Sequence, residues 1–142
     1  MPDYPLATVG ALVISPENRV LIIQTHKWKN TWGVPGGKID YGETIREALL
    51  REFREETGLE LFDLHWGPVQ EAVGSPEFYK EAHFILLNFI ARATTETVTL
   101  NEEAQAYTWV SAQEALAYPL NTPTKQLIEF YLEHQFSTAE VL

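Results

Sequence analysis

The chain has 142 residues, 45% of them hydrophobic, and carries twenty acidic against ten basic side chains for a formal charge of −10. That length and apolar content are enough for one domain, residues 1–142, to bury a core without disulfides or a structural metal. The acid excess argues against a long nucleic-acid duplex as partner, because nonspecific binding of that kind draws its affinity from cations that displace counterions.

Leu6 to Ile14 and Arg19 to Thr25 are rich in β-branched and apolar residues, and the SPEN turn between them makes the pair read as a hairpin. From His26 to Gly42 follows a loop with Pro35 and four glycines (33, 36, 37 and 42), too glycine-dense for regular structure through most of its length. A helix is expected from Thr44 to Thr57, where Ile45, Ala48, Leu49 and Phe53 recur at helical steps and Gly58 stands at the C-cap position. Val69 to Val73, His83 to Ala93 and Tyr107 to Val110 read as strands, the second apolar enough for the sheet centre. Ser111, with Glu114 in capping-box spacing, starts a short helix through Tyr118, and Thr124 to His134 reads as a terminal amphipathic helix. Strands and helices do not alternate in a parallel βαβ rhythm, so a mixed sheet with helices packed on it is the simplest architecture.

No run approaches the roughly 18 apolar residues of a membrane span, and the N-terminus lacks the pattern of a secretory signal, so a cytoplasmic protein with no membrane partner is expected. The sequence has no cysteine and four scattered histidines. Any metal is therefore expected to be held by oxygen.

The acid is concentrated, with six glutamates in the eighteen residues from Glu43 to Glu60. Glu52, Glu55 and Glu56 stand at i, i+3 and i+4, which places three carboxylates on one helix surface. Like charges so placed repel, and a divalent cation such as Mg²⁺ or Mn²⁺ is the natural compensator. Arg51, four residues before Glu55, is suited to orient a carboxylate through paired hydrogen bonds. The glycine loop WGVPGGKIDYGE brings backbone close to whatever sits above the helix, so the carbonyl of Gly37 or its neighbour Gly36 is available to the same metal.

The order of these residues is that of a known motif. GKIDYGETIREALLREFREETGL resembles the Nudix box at its seven fixed positions, Gly37, Glu43, Arg51, Glu52, Glu55, Glu56 and Gly58, the last followed by Leu59. Seven fixed residues at frequencies of about 6% give a chance match on the order of 10⁻⁹ at one starting point. Phe53 departs mildly, standing where the family more often has an aliphatic residue. The resemblance implies an α/β fold of the α+β kind, an α/β/α sandwich in which a mixed sheet lies between helices and the box forms a loop-helix-loop. It also implies hydrolysis of a diphosphate linkage in a small nucleotide-like substrate by attack of water at phosphorus.

By the same resemblance, Glu52, Glu55, Glu56 and Gly37 are the metal ligands, Arg51 holds the glutamates, and Glu43 assists from the loop end of the helix. A Glu55→Gln variant is then expected to lose activity by several orders of magnitude. In the family the general base comes from the box or from a distant loop, and outside the box the candidates are Glu102 and Glu103; the positions just before Trp109 (Ala106, Tyr107 and Thr108), where many relatives carry an acid, depart from the family in carrying none. Trp28, Trp32, Phe78 and Tyr79 are candidates to stack on a base, and His26, Lys27, Lys29 and Lys80 to meet phosphates. His83 is expected to be a satisfied structural histidine. Within the resemblance, three substrates stay open: a nucleoside triphosphate, a nucleoside diphosphate derivative, or a nucleotide sugar of GDP-mannose or ADP-ribose type. RNA cap removal is disfavoured for want of a basic RNA-binding face. A Nudix-fold sensor that binds without cutting is the alternative outside enzymes, and it is expected to lack some of these glutamates. A homodimer is compatible with the family.

Overall fold

The computed structural model describes residues 4–134. Its elements in chain order are β1 (Leu6–Ile14), β2 (Val20–Thr25), β3 (Trp32–Gly33), β4 (Gly36–Lys38), α1 (Ile45–Thr57), β5 (Leu61–Val73), β6 (His83–Ala93), β7 (Ala104–Val110), α2 (Ala112–Ala115) and α3 (Thr122–Glu133). The strands form one mixed sheet in the order β3-β2-β1-β6-β5, with β4 paired to β1 and β7 to β2. β1 and β6 run parallel from Leu6↔Phe84 to Ile14↔Arg92, and the other pairings are antiparallel.

The two-residue period of the strands sorts the core into two layers. Val9, Ala11 and Val13 of β1 join Leu21 and Ile23 of β2 beneath Ala48, Leu49 and Phe53 of α1. The alternate residues Leu12, Ile14, Val20 and Ile22 pack against Ala112 and Ala115 of α2 and Leu127 and Ile128 of α3. The sheet therefore lies between α1 on one face and α2 with α3 on the other, in the mixed α+β class the sequence implied.

α1 begins where Thr44 accepts from the Glu47 amide and Glu47 returns the bond to the Thr44 amide, a capping box that satisfies two helix-end donors. It stops at Gly58, whose φ of 74° lets its N–H reach Arg54 O.

Four expectations need correction. β1 and β2 meet only at Ile14↔Val20, because β1 is otherwise paired by β6 and β4 and β2 by β7 and β3, so the hairpin opens just past its turn. The glycine loop is more regular than its composition suggests, since it contains β3 and β4. A Cβ on Gly36 would lie 2.2 Å from Val9 O, so only glycine lets β4 close on β1 here. β5 runs from Leu61 rather than Val69; register shifts between Phe62 and His65 and between Trp66 and Val69, with Asp63 at φ 56°, break the alternation that would have revealed it. β7 likewise starts at Ala104, not Tyr107.

The two C-terminal helices also shift. α2 ends at Ala115 and continues to Tyr118 only as turns, with Ala117 N–H bonded to Glu114 O and Tyr118 N–H to Ala115 O. α3 starts at Thr122, because Asn121 accepts from Thr124 N–H and caps it two residues earlier than expected.

Candidate active site

Burial of Ala48, Leu49 and Phe53 against the sheet turns the Glu52 and Glu56 edge of α1 toward β4. Gly37 fits against it so closely that a Cβ there would lie 2.4 Å from Glu52 Cδ. The Gly36 N–H donates to Glu56 Oε2 at 3.1 Å. From the other side, the segment after β6 is tied to the end of α1 by Thr99 N–H to Thr57 O (2.9 Å) and Asn101 N–H to Glu56 O (3.3 Å). Asn101 Oδ1 then accepts from Glu103 N–H at 3.0 Å. The outcome is that one carboxylate oxygen each of Glu52, Glu56 and Glu103 lie within 4.8 Å of one another.

Three carboxyl groups so close do not all ionise. Burial raises the Glu56 carboxyl to about 9, helped by the charge of Glu52, a hydrogen bond with Glu52 and the charge of Glu103, and opposed by the Gly36 amide. Glu56 thus holds a proton near neutrality.

Arg51 organises the opposite flank. Its Nε and Nη2 donate to the two oxygens of Glu43 at 2.6 and 2.8 Å, its Nη1 to Glu52 Oε1 at 2.9 Å, and its Nη2 also to Lys38 O at 3.0 Å. These bonds, with that from Asp40 N–H, hold the Glu43 carboxyl down at about 2, and they raise the guanidinium above its usual range. Arg51 therefore fixes the Glu52 carboxylate through its Oε1.

Glu55 lies outside the triad, 54% exposed, with its oxygens 3.3 and 3.4 Å from Arg51 Nη1. Of the two base candidates, Glu103 is in the triad, with Lys27 Nζ 3.8 Å from its Oε1, and Glu102 is exposed and outside it. Three convergent hard oxygens, one of them carrying a displaceable proton, fit a divalent cation of the Mg²⁺ or Mn²⁺ kind.

Glu52, Glu103 and Gly37 border a cleft of about 480 Å³. Trp28, Phe78 and Tyr79 form its aromatic wall, Trp28 and Phe78 meeting edge to face at 5.0 Å. That wall is set by pairing of the two loops that carry it, through Lys29 N–H to Glu77 O and Tyr79 N–H to Lys27 O. Lys27 and Lys80 also line the cleft, Lys80 Nζ standing 5.3 Å from the Tyr79 ring, whereas His26 and Lys29 do not. Trp32 belongs elsewhere: it packs edge to face with Tyr118 in the layer beneath α3 and does not line the cleft. His83 lines the cleft, and its buried Nε2 has no partner among the described residues, contrary to the expectation of a satisfied histidine. Asn88, also in the lining, escaped the sequence reading; a single amide within the apolar run HFILLNFIARA was the available signal.

The geometry agrees with the comparisons. The NUDIX domain model matches residues 5–131. The nucleoside triphosphatase NudI of Escherichia coli O17:K52:H18 is 32% identical over 103 residues, 68% of this chain and 73% of that protein. The MutT NUDIX hydrolase from Burkholderia pseudomallei is similar in structure, with a TM-score of 0.77, 25% identity and coverage of 90% of this chain and 98% of that one. The NUDIX domain of Shewanella oneidensis NrtR, solved in complex with ADP ribose, shares the fold at a TM-score of 0.77 with 21% identity, covering 93% and 89%. The chain belongs to the NUDIX family. It is a Nudix hydrolase, an enzyme of phosphoanhydride bonds. Among the described residues no helix is long and apolar enough to cross a membrane.

Proposed function

We propose that the protein is a Mg²⁺- or Mn²⁺-dependent pyrophosphohydrolase of nucleoside triphosphates, acting in the cytoplasm. The observation that carries this reading is the convergence of Glu52, Glu56 and Glu103 within 4.8 Å, two of which, Glu52 and Glu103, line an aromatic-walled cleft. The similarity to a nucleoside triphosphatase at 32% identity favours a triphosphate over a nucleotide sugar. Glu52 and Glu56 would hold the metal, with Glu55 and the Gly37 carbonyl as further ligands. The bound ion would neutralise charge on the phosphates and lower the pKa of a water.

The chain's own residues supply the rest. Arg51 keeps Glu52 and Glu43 in place; Lys27 meets a phosphate oxygen; Glu103 takes the proton of the attacking water; Trp28 and Tyr79 hold the base. The test is a panel of ribo- and deoxyribonucleoside triphosphates and nucleotide sugars, assayed with each metal for released pyrophosphate, phosphate and nucleotide. Pyrophosphate and a monophosphate are expected. Cleavage confined to nucleotide sugars would move the substrate class, and binding with no turnover of any compound would favour a sensor.

A further inference from the structure

Asn88 is 6% exposed, and its amide is oriented by groups that leave no choice. Backbone carbonyls only accept, so Gln70 must turn its Nε2 toward Pro123 O (3.1 Å), leaving Gln70 Oε1 as an acceptor. Asn88 Nδ2 then donates to that Oε1 at 2.6 Å and to Pro68 O at 3.2 Å, which uses both its hydrogens. No described residue donates to Asn88 Oδ1.

That oxygen borders the cleft beside Gly10, its partner in the β1–β6 register. A Cβ on Gly10 would stand 3.6 Å from Asn88 Oδ1 and 3.3 Å from Pro35 O, so glycine keeps open a spot flanked by two acceptors. An acceptor that faces the cleft with no donor among the described residues is free to take one that a ligand supplies.

We propose that Asn88 is a specificity-determining residue whose Oδ1 accepts a hydrogen bond from an N–H on the substrate's base, in the spot that Gly10 keeps open. This rests on the nucleotide reading above and deepens it: with the phosphates at the glutamate triad, the aromatic wall grips any base, whereas Asn88 selects one that presents a donor at the right depth. Loss of such a bond costs about tenfold or more in kcat/KM.

The experiment compares kcat/KM for the common ribo- and deoxyribonucleoside triphosphates with that for ribose 5-triphosphate, which has no base. Wild type is set against Asn88→Ala and against Gly10→Ala, whose methyl would occupy the spot, 3.6 Å from Asn88 Oδ1 and 3.3 Å from Pro35 O, and removes neither of the bonds from Asn88 Nδ2. The ratio of the best nucleotide to ribose 5-triphosphate should fall about tenfold or more in both variants, mainly through KM. Replacing the base N–H of that nucleotide by N-methyl should cost wild type a similar factor and Asn88→Ala little. Equal losses on both substrates would mean a purely structural role and overturn the inference, as would an unmoved ratio. If wild type turns over both substrates alike and Glu56→Gln abolishes both, the hydrolase reading stands and the Asn88 inference falls. If wild type cleaves neither, the nucleoside triphosphate reading itself fails.

Discussion

The Gly36 amide donates to the Glu56 carboxyl 3.1 Å away, across the boundary between β4 and α1. One bond thus ties the tight strand pairing of β4 with β1 to the most buried acid of the site. It also opposes the rise of Glu56 to about 9.

Glu56→Gln should separate fold from chemistry. Because Glu56 already carries a proton near neutrality, an amide of the same shape replaces a neutral group, and the metal-free melting temperature should hold or rise slightly. Metal-dependent turnover should drop by on the order of a thousandfold or more, for want of an ionisable ligand. Calorimetry and steady-state kinetics on the same preparation read both effects.

Gly37→Ala should act on Glu52 directly. The new methyl would sit 2.4 to 2.6 Å from the carboxylate atoms and must displace them. A fall in kcat of about ten- to a hundredfold with little change in melting temperature is expected, since the carboxylate is the movable end of a side chain. Gly36→Ala meets backbone at 2.2 Å instead and should cost about 1–3 kcal/mol of stability, measured by urea unfolding.

Acid stability should depend on Glu43. Its folded carboxyl is held down at about 2, below the ordinary 4.5 of a free glutamate, so its bond to Arg51 contributes stability in full above pH 4.5. That contribution is lost as the pH falls toward 2. Melting temperature recorded from pH 6 to pH 2 should therefore decline less steeply in Glu43→Gln than in wild type, from a lower start. Parallel curves would show that Glu43 has no such linkage.

The alanine variant of Phe53, fully buried under α1, should lose about 3–5 kcal/mol. The measurement is chemical denaturation, with far-ultraviolet circular dichroism to confirm that the survivors keep their helix content.

The helix and its glutamates were legible because their determinants are local. Ile45, Ala48, Leu49 and Phe53 repeat at helical spacing, and Gly58 sits where its positive φ is needed. The choice of Glu103 over Glu102 was not legible, since it depends on Asn101 and Thr99 bonding back to residues more than forty positions earlier in the chain. Asn88 was invisible for the same kind of reason: its meaning comes from Gly10, Gln70 and Pro68, which a parallel pairing and an irregular strand bring to it. The first half of β5 was missed because its bulges erase the alternation a sequence displays. Trp32 looked like a stacking residue because an aromatic in a glycine loop has the same sequence whichever side of the sheet it packs on.

β1 is shared by two tasks that meet at Val9. Val9, Ala11 and Val13 support α1, whereas Leu6, Thr8 and Gly10 border the cleft, which Val9 also lines. Substrate preference can therefore drift through the second set while the first keeps the reacting groups in register, so this scaffold is open to laboratory evolution of new selectivities by changes confined to alternate positions of a single strand.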